Sequence, residues 1–180
     1  MLVLSKMILN RPIMSLRTGR QVASSTSAII NPNNLKIEGF HCIDSFDKKK
    51  KLILVTQDIR DVLPAGIVID DHSVLSEPED LIRLQEILNL QFELIGKTVA
   101  TTKKKRLGKV TDYAIEPESM IVKKLYVGQS IVKSFTGGTL SVDRTQIVEI
   151  TNKKIIIKDL LQPIVAEVPK VRKLSPAPAS

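Results

Sequence analysis

The sequence predicts an all-β (mainly β) protein in which one small β unit occurs twice. The strongest signal lies between Leu107 and Val127, where two apolar runs rich in β-branched residues flank the polar turn Glu-Pro-Glu-Ser. This pattern is typical of a β-hairpin. The same layout occurs 85 positions earlier, with the turn Asn-Pro-Asn-Asn between residues 22–30 and 35–42. Short apolar runs separated by turn signals continue through both halves, and we therefore expect two tandem small β-barrels.

Each half is expected to begin with one strand and a turn. In the first half the strand lies within residues 6–13 and leads to the tight turn Thr18-Gly19, where glycine tolerates a positive φ angle. The counterpart in the second half is a strand within residues 93–99 that leads to the basic run 103–106. The hairpin follows in both halves.

Shorter strands are expected after each hairpin. Irregular segments at residues 44–51 and 129–136 come first. Strands then follow at residues 52–58, 61–63 and 67–71 in the first half and at 137–143, 146–150 and 155–159 in the second half. In this alignment Asp58 and Asp143, which are 85 positions apart, are equivalent. Five or six short strands in each half suit a barrel, because closure removes exposed strand edges.

One short helix is expected to connect the halves. Ser76 and Glu79 have the spacing of a capping box, and acidic residues occupy the first turn. Apolar residues recur at helical spacing through the segment, at Leu81, Leu84, Ile87 and Leu88. The pattern predicts a helix over residues 77–89 whose apolar stripe packs on one or both barrels.

The domain boundaries follow from these elements. We expect a barrel in residues 1–75, the connector in residues 76–90 and a second barrel in residues 91–160. Residues 161–180 contain several prolines and basic residues, a composition typical of a disordered tail.

The composition is that of a folded protein with an aliphatic core. Hydrophobic residues make up 43% of the 180 residues but aromatic residues only 3%, so Ile, Val and Leu must fill the core. The single cysteine, Cys42, excludes an intrachain disulfide and fits a reducing compartment. The N-terminus is a poor signal peptide, and no apolar run approaches the ~20 residues of a membrane-spanning helix. We therefore expect a cytoplasmic protein.

A search for catalytic and metal-binding patterns finds little. His41-Cys42 is an adjacent pair of potential ligands, but His72 is the only other histidine, so one chain cannot build a closed zinc site from nitrogen and sulfur ligands alone. Cys42 aligns with the apolar Val127, which favours a buried core thiol over a nucleophile. No nucleotide-binding glycine motif or nucleophile elbow is present.

Carboxylate pairs do not change this picture. They lie at strand ends or turns, where solvated roles are expected, and are Asp70-Asp71, Asp58-Asp143 and Glu116-Glu118. We therefore expect no enzyme, no catalytic residue, no metal, no cofactor and no small-molecule substrate.

Two basic runs are the best candidate binding residues. The formal net charge is +8, which favours RNA, anionic lipid or acidic proteins as partners and is also common on soluble proteins with no such partner. The runs fall at expected loops and consist of Lys48, Lys49, Lys50 and Lys51 and of Lys103, Lys104, Lys105 and Arg106. If they share one face, a phosphate-rich partner could bridge them. The alternative is that these lysines keep turns soluble and strand edges apart.

Three segments of the second half carry a family resemblance. Residues 94–99 read Leu-Ile-Gly-Lys-Thr-Val, residues 107–112 read Leu-Gly-Lys-Val-Thr-Asp, and the closing strands read Ile-Val-Glu-Ile and Ile-Ile-Ile. The repeated unit resembles the PRC-barrel family, the small β-barrel found in the photosynthetic reaction-centre H subunit and in the C-terminal domain of the small-subunit ribosome maturation factor. The resemblance covers about 150 residues as two tandem copies.

The resemblance also implies roles for motif residues. Gly96, Gly108, Asp112 and Pro117 are expected to be structural rather than catalytic. The first half departs from the motif and carries other residues at the positions of Gly96, Gly108 and Asp112, namely Asn10, Ala23 and Ser27.

Three functions remain open at this point. Members of the family resemble one another in serving as docking or assembly modules, which implies a non-catalytic adaptor that binds another protein. The first alternative is a ribosome maturation or RNA-associated assembly factor that uses the basic loops. The second is a peripheral protein of an anionic membrane surface. Because fold does not supply function, the sequence leaves the partner open.

Overall fold

The all-β prediction is confirmed by the computed structural model, which describes residues 1–128 and 138–159. One hydrogen-bonded network connects all thirteen of the strands described. The first seven are β1 Val3–Leu4, β2 Pro12–Ser15, β3 Gln21–Asn31, β4 Lys36–Asp44, β5 Lys51–Val55, β6 Ile59–Leu63 and β7 Gly66–Ile69. The other six are β8 Thr98–Thr101, β9 Arg106–Glu116, β10 Ile121–Gly128, β11 Thr139–Asp143, β12 Ile147–Ile150 and β13 Lys154–Ile157. The single α-helix in these ranges is α1, Gln85–Leu90.

The two halves have the same strand order. Hydrogen bonds link β5-β4-β3-β2-β7-β6 in the first half and β11-β10-β9-β8-β13-β12 in the second. In each half one pair is parallel, β2 with β7 and β8 with β13, whereas the other ladders are antiparallel. The long strands β3 and β9 begin and end 85 positions apart. The sequence repeat therefore corresponds to a repeat of topology.

The core is aliphatic, as the composition requires. Fully buried side chains of the first half include Ile13, Phe40 and Leu54, and those of the second include Leu125 and Ile155. Buried residues from both halves belong to one contiguous hydrophobic cluster. Burial of this kind stabilises by about 25 cal/mol for each Å² of apolar surface removed from water, so the shared cluster favours unfolding of the halves as one unit.

The halves meet where their central hairpins turn. Lys36 lies opposite Ile121, its own equivalent 85 positions later. The Ile37 amide donates to the Met120 carbonyl at 2.8 Å, and the Val122 amide donates to the Leu35 carbonyl at 3.0 Å. Leu35 and Met120 also share a left-handed backbone, with φ of 56° and 54°. Because each contact is repeated with the halves exchanged, an approximate two-fold axis passes between Lys36 and Ile121.

The N-terminal segment covers part of the second half, and the connector covers part of the first half. The N-terminal strand β1 pairs with β9 of the second half, and the hydroxyl of the buried Ser5 donates to Asp112 of the same strand. The connector covers the first half in return, since Ser76 exchanges backbone hydrogen bonds of 2.8 and 3.0 Å with Ile53. Helix α1 packs against β3. The segments that precede the two halves, β1 with its 3-10 turn and the connector, are thus exchanged: each packs on the other half. We call them the leading segments.

The prediction of a connector helix over residues 77–89 is wrong for most of that segment. The segment contains two 3-10 turns, Pro78–Asp80 and Ile82–Leu84, followed by the six residues of α1. The Ser76 and Glu79 capping box is absent from these turns, because the Ser76 backbone is extended and bridges to Ile53. Leu81, with φ −93° and ψ 65°, separates the turns.

The 85-position register also holds only through the central hairpin. Strands β5, β6 and β7 precede their counterparts β11, β12 and β13 by 88 positions. The same offset relates the 3-10 turns Thr56–Asp58 and Arg144–Gln146. The equivalence of Asp58 with Asp143 is therefore wrong, and Asp58 corresponds to Gln146. The strand predicted within residues 6–13 begins only at Pro12, because Ser5–Met7 forms a 3-10 turn. The irregular segment predicted at 129–136 and the tail at 161–180 lie outside the described residues.

Candidate functional site

The two basic runs lie at opposite ends of the molecule. Lys48, Lys49 and Lys50 connect β4 to β5, and Lys103–Lys105 connect β8 to β9. Strands β4 and β10 both begin at the two-fold axis and are antiparallel there, so they lead away from it in opposite directions. At about 3.3 Å per residue, the far ends of these two strands are at most roughly 50 Å apart, and β9 begins beside the far end of β10. The structure does not bring the runs together on one face.

The first basic run is fixed at one end by a local ion pair. The Lys50 ammonium lies 2.6 Å from Glu77, and this hydrogen bond raises the pKa of Lys50. Asp47 accepts the Lys49 amide at 3.0 Å and thereby shapes the turn. Lys51 is the first residue of β5 and lies opposite Ile43 of β4. All four lysines of the run are exposed.

The second basic run has a similar pair. The Lys103 ammonium lies 2.9 Å from Asp159, and the hydrogen bond to this carboxylate raises the pKa of Lys103. Lys104 has a left-handed φ of 64° and donates its amide to the Thr101 carbonyl at 2.9 Å. Arg106 begins β9 and pairs with Ala100 of β8. This run is therefore a tight, exposed turn that is joined to the end of β13 through Lys103 and Asp159.

Exposed apolar side chains accompany the first run. Phe46 is 73% exposed, Leu16 is 62% exposed and Ile43 is 43% exposed. Leu16 and Phe46 lie on loops and Ile43 lies near the end of β4, and contacts of Asp71 and His72 tie these segments together. We call the surface formed by residues 16–20, 43–51 and 70–72 the basic tip.

The loops of the basic tip are held by four short contacts. Arg17 binds Asp71 at 2.9 Å, which joins the first loop to residues 70–72. His72 lies 3.1 Å from the buried Asp44 carboxylate, and its ring meets the Phe46 ring edge-on at 5.2 Å between centroids. The Phe46 amide donates to the same Asp44 carboxylate at 3.0 Å. These contacts anchor the Phe46 backbone, and the His72 ring packs against the outward-facing Phe46 ring.

A second candidate surface is a groove between the first sheet and the connector. It has a volume of about 590 Å³. Its apolar lining consists of Val55, Leu81, Ile82, Leu84 and Ile87, and its charged rim consists of Lys36, Glu38, Asp80 and Arg83. We call it the connector groove. Ile82 is 81% exposed there, an unusual position for so large an aliphatic side chain.

Two smaller grooves of about 470 Å³ each are related by the two-fold axis. One lies between the Pro117 turn and β6, and the other lies between the Pro32 turn and β12. Arg60 lines the first groove, whereas its equivalent Val148, which is 54% exposed, lines the second. Their linings are more polar than that of the connector groove.

The motif residues occupy structural positions. Gly108 has a φ of 155°, and a Cβ there would lie 1.9 Å from the Gly128 carbonyl oxygen. Gly96 has a φ of 87° with open space around it, so a turn rather than close packing requires glycine there. Asp112 receives the Ser5 hydroxyl, and Pro117 lies in the turn of the second hairpin.

The groups considered for chemistry are engaged in local interactions. Cys42 is 2% exposed and burial raises the pKa of its thiol to about 12, which agrees with the expected core thiol. The pKa of His41 is lowered by partial burial and by the nearby Lys51. No cluster of three metal-ligating side chains occurs in residues 1–128 and 138–159.

Local partners also occupy three carboxylates of the predicted pairs, those of Asp70, Asp71 and Glu116. Asp70 accepts the Arg60 Nε–H at 2.8 Å, and this side chain lowers the pKa of Asp70. The His72 backbone amide and then Arg17 lower the pKa of Asp71. Glu116 accepts from the Ser119 hydroxyl at 2.6 Å.

Sequence reasoning missed Phe46 and Ile82. Phe46 is the one aromatic side chain beside the run of four lysines, which was the available signal. Ile82 falls outside the apolar stripe of the predicted helix and therefore should have been read as solvent-facing.

None of the described helices is long and apolar enough to cross a bilayer. No protein-family model matches the chain, and no curated protein is significantly similar to it.

Proposed function

We propose that this protein is a non-catalytic cytoplasmic docking or assembly module of the PRC-barrel type, and that it binds another protein at the connector groove. The observation that carries the proposal is the exposed Ile82 above an apolar lining. Apolar centres with polar rims are the usual anatomy of protein interfaces. Because Ile82 is 81% exposed, a partner that covers it removes apolar surface from water, and this burial stabilises the complex.

The charges at the rim favour a protein over a nucleic acid. Lys36 and Arg83 are positive, whereas Glu38 and Asp80 are negative, so the groove carries no net charge. A phosphate backbone needs a surface of one positive sign, because counterion release drives its binding. A protein segment with an apolar anchor between side chains of both charges is complementary to this rim.

The rim residues are also free to respond to such a segment. Lys36 and Glu38 form a loose ion pair at 3.7 Å, with 43% and 21% of their side chains exposed. Exposed pairs of this kind contribute little to stability, about 0–1 kcal/mol, so exchanging partners on binding costs little. The groove therefore offers one fixed apolar wall and an adaptable polar edge.

An RNA-associated assembly factor is the second candidate, and the exposed lysine runs favour it. Because they lie beyond the far ends of β4 and β10, an RNA must be extended or large to contact both. Co-sedimentation with ribosomal particles at physiological salt tests this candidate, and loss of co-sedimentation on removing either run supports it.

The protein-binding proposal is tested with a photo-crosslinking residue in place of Ile82. Partners captured in cells are identified by mass spectrometry, and the strongest is purified and titrated against the wild-type protein by calorimetry. Ile82→Asp should weaken that binding at least tenfold, since it places an unpaired charge at the centre of the interface.

Val148→Asp is the matched control. Val148 is 54% exposed and its equivalent in the first half is Arg60, so the fold accepts a charged side chain at this position. We expect the control to bind normally. Equal binding by wild type and Ile82→Asp, or equal loss in both variants, would contradict binding at the connector groove.

A further inference from the structure

We propose that the basic tip of the first half is a binding site for anionic lipid membranes. This site is separate from the connector groove and goes beyond the proposed protein docking. It combines the two features that peripheral membrane contact requires, which are exposed apolar side chains that enter the interface and surrounding cations that bind lipid headgroups.

The apolar component consists of exposed side chains on loops that are anchored to the fold. Phe46 stands 73% exposed on a loop whose backbone is bonded to the buried Asp44, and the His72 ring supports one edge. An apolar side chain that is already exposed on an anchored loop needs little rearrangement of the loop for insertion. Leu16, at 62% exposure, lies on the adjoining loop that Arg17 ties to Asp71.

Cations outnumber carboxylates at the tip, with six Lys and Arg residues against four Asp residues. Arg17 and Lys50 are engaged with acidic residues. Four further cations of the tip have no ion pair within the described part of the chain, namely Arg20, Lys48, Lys49 and Lys51. Lys51 lies directly opposite the exposed Ile43, so charge and apolar surface adjoin on the same sheet. Each cation held near an anionic bilayer strengthens binding about fivefold.

The chemistry of the tip favours lipid over RNA. Single-stranded RNA is bound by stacking bases on aromatic rings, and Phe46 is the one exposed phenylalanine, tyrosine or tryptophan at this end among the described residues. Leu16 and Ile43 offer aliphatic surface that does not stack with bases but is stabilised in the acyl boundary of a bilayer. Three apolar side chains among cations therefore match a membrane surface better than a nucleic acid.

Vesicle flotation of the purified full chain tests the proposal. The vesicles contain phosphatidylcholine with 30% phosphatidylserine, or phosphatidylcholine alone as the neutral control. The wild type should float only with the anionic vesicles, and its binding should fall as salt is raised. Phe46→Ser should weaken binding about tenfold. Changing Lys48, Lys49 and Lys51 to Ala together should weaken it on the order of a hundredfold.

The second basic run supplies a control of equal charge. Changing Lys103, Lys104 and Lys105 to Ala also removes three positive charges from the net +8, but at a turn without an exposed large apolar side chain. This variant should retain binding within about threefold of the wild type. Equal losses in the two triple variants would show that net charge alone drives binding and would overturn the assignment to the tip. Circular dichroism verifies that each variant is folded.

A fluorescent reporter locates the contact. Because the chain has no tryptophan, Phe46→Trp introduces a single indole at the tip, and Ile82→Trp introduces one at the connector groove. With anionic vesicles the emission of the first should move to shorter wavelength, while that of the second should not. No vesicle binding by the wild type, or binding to a single-stranded RNA probe that depends on Phe46 without vesicle binding, would overturn the proposal. Neither result affects binding at Ile82, so this proposal and protein docking fail independently.

Discussion

Replacement of Gly108 by alanine tests the closest backbone approach in the second half. The new Cβ would lie 1.9 Å from the Gly128 carbonyl oxygen and 3.2 Å from a methyl group of Val127. The first distance is far below any van der Waals contact. The obstacle is backbone rather than a flexible side chain, so β9 must move away from the end of β10 to relieve it. The φ of 155° at Gly108 adds a conformational penalty for any residue with a Cβ.

The cost can be estimated from these two contributions. Forcing an extra methyl group into a packed site costs about 1–3 kcal/mol. An unfavourable backbone conformation adds about 1–2 kcal/mol. Together they remove about 2–5 kcal/mol from a total stability of about 5–15 kcal/mol. For a protein of this size each kcal/mol lowers Tm by about 2–4 °C, so the Gly108→Ala variant should melt roughly 5–20 °C lower. The Gly108→Val variant should lose more.

Urea and thermal unfolding followed by circular dichroism measure this effect. Ala23 is the equivalent residue of the first half, and Ala23→Gly should cost only about 1 kcal/mol through chain entropy and a lost methyl group. Lys104→Ala, at an exposed site that keeps its left-handed φ of 64°, should leave Tm nearly unchanged. If Gly108→Ala melts with the wild type, the close approach of β9 to β10 is not the reason for glycine at this position.

Two further predictions concern buried polar groups. Burial raises the pKa of the Cys42 thiol from 9.0 to about 12, so the native state keeps a proton that the unfolded chain releases, and stability should fall as pH rises from about 9 towards 12. Cys42→Val introduces the residue found at the equivalent Val127. Between pH 8 and pH 10, its free energy of unfolding in urea should fall by about 1 kcal/mol less than that of the wild type. Identical pH profiles would refute the buried thiol. The Tyr113 hydroxyl is buried without a hydrogen-bond partner in the described chain. Tyr113→Phe should therefore raise the free energy of unfolding by about 1 kcal/mol, and a decrease would show that the hydroxyl is bonded.

Local patterns were sufficient to predict the class and the repeat. The proline turns at residues 31–34 and 116–119 and the apolar runs beside them identified both central hairpins within two residues. Alternation of buried and exposed positions is a local property of a strand, which is why these elements can be read from the sequence. The structural roles of Gly96 and Gly108 stay predictions, and replacement of Gly108 tests one of them.

Long-range contacts explain the errors. Ser76 has the spacing of a helix cap, but its backbone is used for the bridge to Ile53, and tertiary pairing outweighs a capping preference of about 1 kcal/mol. The register of the closing strands shifted by three because loop lengths differ between the halves. Periodicity alone carries no information on such insertions.

The candidate sites were only partly predictable for the same reason. The lysine runs were visible as runs, but their separation depends on the antiparallel pairing of β4 with β10. Phe46 and Leu16 are 30 positions apart and join one surface only through Asp71 and His72. Such a surface exists only after the chain has folded.

The exchange of leading segments determines the order in which parts of the chain can fold during synthesis. Ser5 and Asp112, which bond in the finished protein, are 107 positions apart. At about 5–20 residues per second, a ribosome releases the start of the chain roughly 5–20 s before β9 exists to receive it. Throughout that interval β1 has no strand to pair with, and the first half lacks its own cover until the connector emerges. The nascent first half thus stays uncovered until residues 76–90 have been made, and β1 stays unpaired until β9 follows them.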